Sequence, residues 1–379
     1  MIIERRQWRH ATGWNLPPAR IGTFTPQLVI FFGAPEALAV PGVIDRLHTD
    51  YPEADIVGCS TAGEILGVEV TDGSVVAAAI QFEQSRVRVA HRELQDVDDS
   101  SQAGRNLADD VAAEDLSHLI VLAEGIHVNG SELVAGLREH LPGRVAVTGG
   151  LAGDGDRFIS TTVYCNQTIG PRAVVAIGLY GDRLTVGYGS RGGWDTFGPD
   201  RLITRSRGNI LYELDGRPAL ELYKRYLGPH ANDLPASGLL FPLSLRGQAG
   251  QPRVVRTILG IDEAAGALIF AGDVPQGEYG QLMRANVDRL VDGAHDAGLA
   301  SRQPGESGGD SLALLVSCVG RKLVLNQRIE EELEAVQDAL GPDTTLCGFY
   351  SYGEIAPFGT STKCELHNQT MTVTTLRER

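Results

Sequence analysis

The chain has 379 residues and a formal net charge of −15, and its lysines and arginines are scattered rather than clustered. This length favours two domains of ordinary size, and the charge argues against nucleic acid or an anionic membrane surface as a partner. No apolar run reaches the roughly 20 residues of a membrane helix, and the N-terminus lacks the continuous apolar segment of a secretory signal. We therefore predict a cytoplasmic location.

The cysteines limit the possible chemistry. There are five, and no two of them form a CxxC pair. An odd number without that spacing argues against a disulfide framework, a zinc ribbon or covalently attached haem. We expect them to be mostly buried thiols.

The first half of the chain alternates short apolar runs with helical patterns, as βαβ units do. The run QLVIFFG predicts a buried strand, a helix follows, and ADIVG predicts a second strand that ends at Gly58. A second cycle starts with HLIVLAEG. Its helix has Asn129 as N-cap and Glu132 as the reciprocal partner, and RVAVTGGLAGDG closes the cycle.

The middle of the chain changes character. Two strand-like runs between residues 161 and 187 predict antiparallel additions, and hence mixed sheets. Residues 189–252 are rich in turn residues, with a short helical pattern at residues 219–226. The predicted fold is therefore α/β with mixed sheets, in two domains that cover residues 25–216 and 217–379, with the boundary near Gly216.

The second half repeats the alternation. ALIFAGDVP precedes a helix that we predict to present Met283, Val287 and Leu290 on one face, and residues 301–310 form a polar linker. The strand SLALLVSC, a helix and the short strand TTLCG then lead into GFYSYGEI.

Two octapeptides share a frame, GCSTAGEI at residues 58–65 and GFYSYGEI at residues 348–355. Both follow strand, helix and strand, and both precede a further strand, which predicts an internal duplication. TGGLAGD is a possible third copy in which Asp154 replaces the glutamate. Open α/β sheets bind ligands at such loops. Glu64 and Glu354 could therefore contact a ligand or only hold the loop's own amides.

Several motifs, taken in order, resemble one family. They are GCSTAGEI, VNGSEL, GGLAGD, DGRPALELY, SCVGRK, GFYSYGEI and ELHNQT. A chain with this order resembles the FIST proteins, which are bacterial sensory proteins with paired N-terminal and C-terminal FIST domains. Because no output segment is attached to it, the chain resembles a free-standing branch of the family, typified by the NosP-type haem-binding nitric oxide sensors. These regulate a separate histidine kinase or cyclic-di-GMP enzyme.

The resemblance implies non-covalent haem b, which needs an apolar slot and one axial ligand. His127 directly follows a predicted strand and His367 lies beside the last strand, so these two are the candidate ligands. The alternative for each is a histidine whose ring nitrogens satisfy buried backbone groups.

We expect a ligand sensor rather than an enzyme. The expected binding residues are Gly63, Glu64, Asn129, Asp154, Arg321, Tyr352, Gly353 and Glu354. If the ligand is instead a small molecule such as an amino acid, Glu64 or Glu354 would bind its ammonium and Arg321 its carboxylate. The alternative of another class is an enzyme that uses the two glutamates as an acid/base pair, which requires them to converge.

Overall fold

The computed structural model describes residues 1–15, 23–246, 253–303, 311–359 and 361–379. Within them the chain forms three copies of one unit around a common centre, with a fourth sheet inserted into the third copy. The prediction of an α/β fold with mixed sheets is confirmed.

The first unit contains the predicted strand, helix and strand. Its elements are β1 (Ile2–Arg9), β2 (Gly13–Trp14), β3 (Leu28–Gly33), α1 (Pro35–Leu38), α2 (Val43–Asp50), β4 (Asp55–Ser60), β5 (Glu64–Leu66), β6 (Glu69–Thr71) and β7 (Val75–Gln81). β3 is apolar on both faces because Ile30 packs into the centre of the molecule while Phe31 packs beneath the helices.

The second unit adds a helix before its central strand. It comprises β8 (Arg86–Glu93), α3 (Ser100–Val111), β9 (Leu116–Ala123), α4 (Gly130–His140), β10 (Ala146–Leu151), β11 (Val163–Cys165), β12 (Thr168–Gly170) and β13 (Ala173–Tyr180). The side chain of Asn129 accepts hydrogen bonds from the amides of Ser131 and Glu132 at the start of α4, so the predicted N-cap is confirmed. The predicted antiparallel additions, β11 and β13, are also present.

The third unit is split by the insertion. Its first strand is β14 (Leu184–Arg191), and the insertion holds β15 (Asp195–Arg207), β16 (Ile210–Leu214), β17 (Arg217–Pro218), α5 (Ala219–Leu227), β18 (Leu243–Arg246), β19 (Val254–Arg256), β20 (Ile258–Asp262), β21 (Ala267–Phe270) and β22 (Tyr279–Arg284). The unit resumes with α6 (Val287–Ser301), β23 (Ser311–Cys318), α7 (Val319–Leu325), α8 (Ile329–Leu340), β24 (Thr344–Ser351), β25 (Gly353–Pro357), β26 (Cys364–His367) and β27 (Met371–Glu378).

Each unit builds its sheet in the same way. Two parallel strands (β3 and β4, β9 and β10, β23 and β24) stand beside an antiparallel strand (β7, β13, β27), which pairs in turn with the first strand of its unit (β1, β8, β14). The sheet is completed by a hairpin from another unit. β5 and β6 join β24, β11 and β12 join β4, and β25 and β26 join β10. The three units therefore exchange hairpins in a closed cycle.

Three glycines mark the equivalence of the units. Gly58, Gly149 and Gly348 each lie opposite a residue of the neighbouring parallel strand, and an added Cβ would come 1.9 to 2.3 Å from that residue's carbonyl oxygen. A side chain cannot fit at any of the three positions. The TGGLAGD segment is thus the third copy that the sequence suggested.

The three sheets face one another across a single apolar core. Alternate residues of β3, β9 and β23, such as Ile30, Leu122 and Leu314, meet there. Phe32 of the first unit stacks on Phe349 of the third, with ring centroids 4.6 Å apart. The helices cover the outer faces of the sheets. The carboxyl ends of the parallel strands lie at one end of this core.

The inserted fourth sheet corrects the sequence prediction for residues 189–252. Its order is β19-β18-β22-β15-β16-β21-β20, and α5 packs on it. β15 was missed because its register shifts at bulges and, among its 13 residues, only Ile203 is fully buried. The predicted boundary at Gly216 lies in the turn between β16 and β17, so residues on both sides of it belong to one sheet.

Two smaller predictions also change. Met283 lies in β22 and not in the following helix, because the side chain of Asn286 caps a helix that begins at Val287. Of the predicted linker, residues 304–310 lie outside the described residues. The five cysteines are all buried and free, as expected. Among the described residues no helix is long and apolar enough to cross a membrane.

Candidate ligand-binding site

The loops that follow β4, β10 and β24 meet at one end of the core and bond to one another. The amide of Gly153 donates to Ser60 O (2.9 Å), that of Ala62 to Tyr350 O (2.8 Å), and that of Tyr352 to Leu151 O (3.2 Å). These bonds join the first unit to the second, the first to the third, and the third to the second. The three loops therefore form a closed ring at the carboxyl ends of the parallel strands, where ligands bind in open α/β sheets.

Glu64 and Glu354 have the same environment in their two loops. Glu64 is buried, and its carboxylate accepts Thr61 Oγ1 (2.5 Å) together with the amide and hydroxyl of Ser74 (3.0 and 2.9 Å). Glu354 likewise accepts Ser351 Oγ (2.7 Å) and the amide and hydroxyl of Thr370 (3.1 and 2.9 Å). Each glutamate thus connects the loop after its unit's second parallel strand (β4 or β24) to the start of its unit's last strand (β7 or β27).

Burial is the main influence on the pKa values of both glutamates. It raises the pKa of Glu64 to about 7 and that of Glu354 to about 7, although the hydrogen bonds oppose the shift. A raised pKa is what an acid/base catalyst needs. However, Glu64 lies on β5 in the third unit's sheet and Glu354 lies on β25 in the second unit's sheet. The two carboxylates share no hydrogen-bond partner among those given above.

Asp154 has the equivalent role in the second loop. Its carboxylate accepts the amides of Phe158, Ile159 and Ser160, each at 2.9 Å, and the hydroxyl of Tyr352. The ring of Tyr352 stacks on that of Phe158, with centroids 4.2 Å apart. Tyr352 therefore connects the third unit to the second unit's loop, and burial raises the pKa of its hydroxyl so that it stays a donor.

Arg321 lies inside the third unit. It has no exposed surface, and its guanidinium bonds Glu332 Oε2 through Nε (3.0 Å) and Nη2 (2.8 Å). Nη2 also donates to Leu290 O (2.8 Å), and Glu332 accepts the hydroxyl of Tyr350 (2.7 Å). The ion pair joins α6, α7 and α8, so Arg321 is not accessible to a ligand. Asn129 is similarly occupied by capping α4.

A cleft opens beside the ring, with a volume of about 820 Å³ including its mouth. Gly63 and Glu64 line it, and so do charged residues that the sequence did not single out, namely Glu36, Asp72, Asp156, Arg157 and Lys322. Asp154 lines the adjoining depression. Gly63 has φ +140°, a backbone conformation that other residues rarely adopt, and its missing side chain leaves room for Lys322 Nζ, which would lie 2.6 Å from an added Cβ.

Two ion pairs cross this cleft between units. Lys322, in the middle of α7, donates to the Asp72 carboxylate and to Ala62 O (2.7 Å). Arg157 donates to Asp154 O (2.6 Å) and to Glu36 Oε2 (3.2 Å). The only sequence signal for these residues was their position, since Lys322 lies in SCVGRK and Arg157 in GDGDR.

The candidate haem ligands lie elsewhere. His127 is on the surface before α4, with 45% of its side chain exposed and Nδ1 3.4 Å from Glu124 Oε1. His367 is buried under the ring of Phe358, and its Nε2 is 3.0 Å from Ala356 O. Burial lowers the pKa of His367 to about 4, so the ring is neutral and donates to that carbonyl. His127 thus lies on the surface and His367 uses Nε2 for a backbone carbonyl, so the contacts of these two histidines do not support haem ligation.

Comparison with known proteins identifies the family. A model described as the FIST N domain matches residues 27–217, and one described as the FIST C domain matches residues 219–357. The chain belongs to the FIST family. FIST domains are sensor domains of signal-transduction proteins and bind small ligands. The expectation of a sensory protein is thereby confirmed at this level.

Two further comparisons add little. No curated protein sequence matches the chain. Among solved structures, the chain is similar to a cyanuric acid hydrolase from A. caulinodans, with 9% sequence identity and a TM-score of 0.36 over 94% of this chain and 90% of that one. A likeness at this level carries no argument about function.

Proposed function

We propose that this FIST protein senses a small zwitterionic molecule, such as an amino acid, in the cleft beside the loop ring. The observation that supports this is the pair of ion pairs across the cleft, Lys322 with Asp72 and Arg157 with Glu36. A ligand with both charges can offer its carboxylate to Lys322 and its ammonium to Glu36, and thus bind one member of each pair.

The position of the cleft supports a sensing role. Its walls come from all three units, because Asp72 belongs to the first, Arg157 to the second and Lys322 to the third. A ligand that replaces these pairs would change the contacts between units and so shift the population of two arrangements. In this proposal a separate protein reads the shift. The family resemblance suggests a histidine kinase or a cyclic-di-GMP enzyme as this reader, and in the proposal the FIST protein acts as a sensor rather than as an enzyme.

Haem-based nitric oxide sensing stays a prediction of the family resemblance. The contacts of His127 and His367 do not support it, and we derive no step through haem. The acid/base alternative likewise lacks support, because the hydrogen bonds of Glu64 and Glu354 account for all four of their carboxylate oxygens.

Calorimetric titration of the full chain with the standard amino acids tests the proposal. We expect at least one to bind, and Lys322→Gln to weaken its binding about tenfold through loss of a charged hydrogen bond. Lys224→Gln is the matched control, since Lys224 forms a similar exposed pair with Glu263 outside the cleft. Equal binding by the two variants would contradict the proposed site.

The same protein, incubated with haem, distinguishes the two ligand classes. We expect no Soret band after removal of free haem. A stable band that His367→Ala or His127→Ala abolishes would overturn the amino-acid proposal in favour of haem.

A further inference from the structure

A second and larger opening lies between the inserted sheet and the second unit's sheet. This groove, of about 1,910 Å³ including its open side, is bounded by β18 and β19 on one side and by α4 and the chain around β25 and β26 on the other. Its walls are partly apolar, with Leu245, Val254, Pro275 and Phe358 among the lining residues. It is separate from the cleft beside the loop ring.

Arg256 lines this groove and is 6% exposed. Its Nε donates to Asp273 O (3.0 Å) and its Nη1 to Leu366 O (2.8 Å). Within the described part of the chain, no carboxylate lies within 4.0 Å of the guanidinium and Nη2 has no hydrogen-bond partner. One end of the guanidinium fork is thus left unused.

The other buried arginines show how unusual this is. Arg6 lies 3.0 Å from Asp50, and Arg321 lies 2.8 Å from Glu332. A buried charge without a countercharge in contact is costly, and desolvation lowers the pKa of Arg256 to about 10 even though three carboxylates farther away oppose the shift. A perturbed charge of this kind that lines a groove is a candidate for ligand contact.

Asp273 provides a second unsatisfied group on the same wall. Its carbonyl accepts Arg256 Nε, and its side-chain Oδ1 is enclosed but has no hydrogen-bond partner among the described residues. A buried acceptor without a donor is unfavourable, because its desolvation is not compensated. The wall therefore offers a free donor pair and a free acceptor on two residues that are joined by the bond from Arg256 Nε to Asp273 O.

We propose that this groove binds an amphipathic 2-hydroxy monocarboxylate. The carboxylate pairs with Arg256 Nη2, the hydroxyl donates to Asp273 Oδ1, and the apolar tail lies against Leu245, Val254 and Phe358. A dianion such as phosphate fits less well, because it has no apolar part to lie against this wall and because the three cations of the lining, Lys363 among them, are matched by three carboxylates.

Calorimetry of the full chain with 2-hydroxyoctanoate and octanoate tests this site. We expect Arg256→Gln to weaken binding of both ligands about tenfold to 100-fold, as loss of a charged hydrogen bond implies. We expect Asp273→Leu, which removes the acceptor and keeps a similar volume, to abolish only the advantage of the hydroxylated ligand. Arg138→Gln is the control, since Arg138 lines the opposite wall but is already paired with Glu365.

Three results would overturn the proposal. These are no binding of either ligand to the unmodified chain, equal losses in Arg256→Gln and Arg138→Gln, and binding of inorganic phosphate in preference to the carboxylates. Arg256→Lys is the variant that guards against misfolding, because it keeps the positive charge and loses only the guanidinium fork. Its urea unfolding midpoint should match that of the unmodified chain, so that a loss of ligand affinity cannot come from misfolding. Lys322→Gln should leave 2-hydroxyoctanoate binding unchanged, which separates this site from the cleft.

Discussion

The first and third loops of the ring differ from the second in how a carboxylate holds them. Glu64 and Glu354 each accept a hydroxyl from their own loop and the amide and hydroxyl at the start of their own unit's last strand. Asp154, with a shorter side chain, accepts three consecutive amides of the chain that follows it and a hydroxyl from another unit. The duplicated glutamates stabilise single units, whereas the aspartate also joins two units.

This difference answers the question that the repeated octapeptides posed. Two equivalent glutamates suggested a shared role in binding, and the shared role is to fix the loops whose backbone forms the ring. Apart from Glu64, the charged groups that line the cleft differ from unit to unit: the first unit contributes Glu36 and Asp72, the second Asp156 and Arg157, and the third Lys322. A repeated framework therefore presents a non-repeated set of charges, and an asymmetric ligand can bind near an approximate threefold centre.

The largest expected effect of the two glutamate loops is on how the free energy of unfolding depends on pH. Because burial raises both glutamate pKa values to about 7 from an ordinary 4.5, the folded chain holds more protons than the unfolded chain between those pH values. Stability should fall as pH rises through this window, by about 3 kcal/mol for each glutamate. Urea unfolding at pH 4.5, 6 and 8 measures the slope. The double variant Glu64→Gln, Glu354→Gln should flatten it.

Gln is the suitable replacement because its oxygen can still accept the amide of Ser74 or Thr370 while its nitrogen faces a hydroxyl. A double glutamine variant with an unchanged slope would show that other groups cause the pH dependence.

Loss of the second loop's carboxylate should have the next largest effect. Asp154→Ala leaves the amides of Phe158, Ile159 and Ser160 without their acceptor, and we expect the free energy of unfolding to fall by about 3 kcal/mol. Asp156→Ala is the control, because that exposed side chain should contribute less than about 0.5 kcal/mol. Equal effects of the two changes in urea unfolding would contradict the role of Asp154.

The parts of the fold that sequence could predict are those with local causes. The strand, helix and strand before each octapeptide follow from apolar spacing, and the cap of α4 follows from Asn129 and its neighbours. The exchange of hairpins could not be predicted, because no local pattern of β5 indicates that it pairs with β24. The inserted sheet was missed because a bulged and mostly half-exposed strand such as β15 has no clear alternation.

The sequence directed attention to the loops of the ring but did not indicate the charged groups that line the cleft beside them. Arg321 and Lys322 are neighbours on α7, and sequence alone cannot tell which of them points inward. Arg321 turns into the core because Glu332 of α8 offers a buried partner, which leaves Lys322 to reach the cleft. Arg256 was overlooked because a single arginine in the run VVRTI looks like a charge on the exposed face of a strand.

The smallest expected effect tests whether the two glutamate loops are equivalent in energy as well as in geometry. Ser74→Ala and Thr370→Ala each remove the hydroxyl that donates to a glutamate and keep the backbone amide that also donates to it. Each should therefore lower the free energy of unfolding by about 1 kcal/mol. Thr370→Ser is the control for the lost methyl group. In a Glu64→Ala background the effect of Ser74→Ala should disappear, since the two residues act through one contact. If Ser74→Ala keeps its full effect there, its bond with Thr71 Oγ1 (2.7 Å) and not its bond with Glu64 carries the stability.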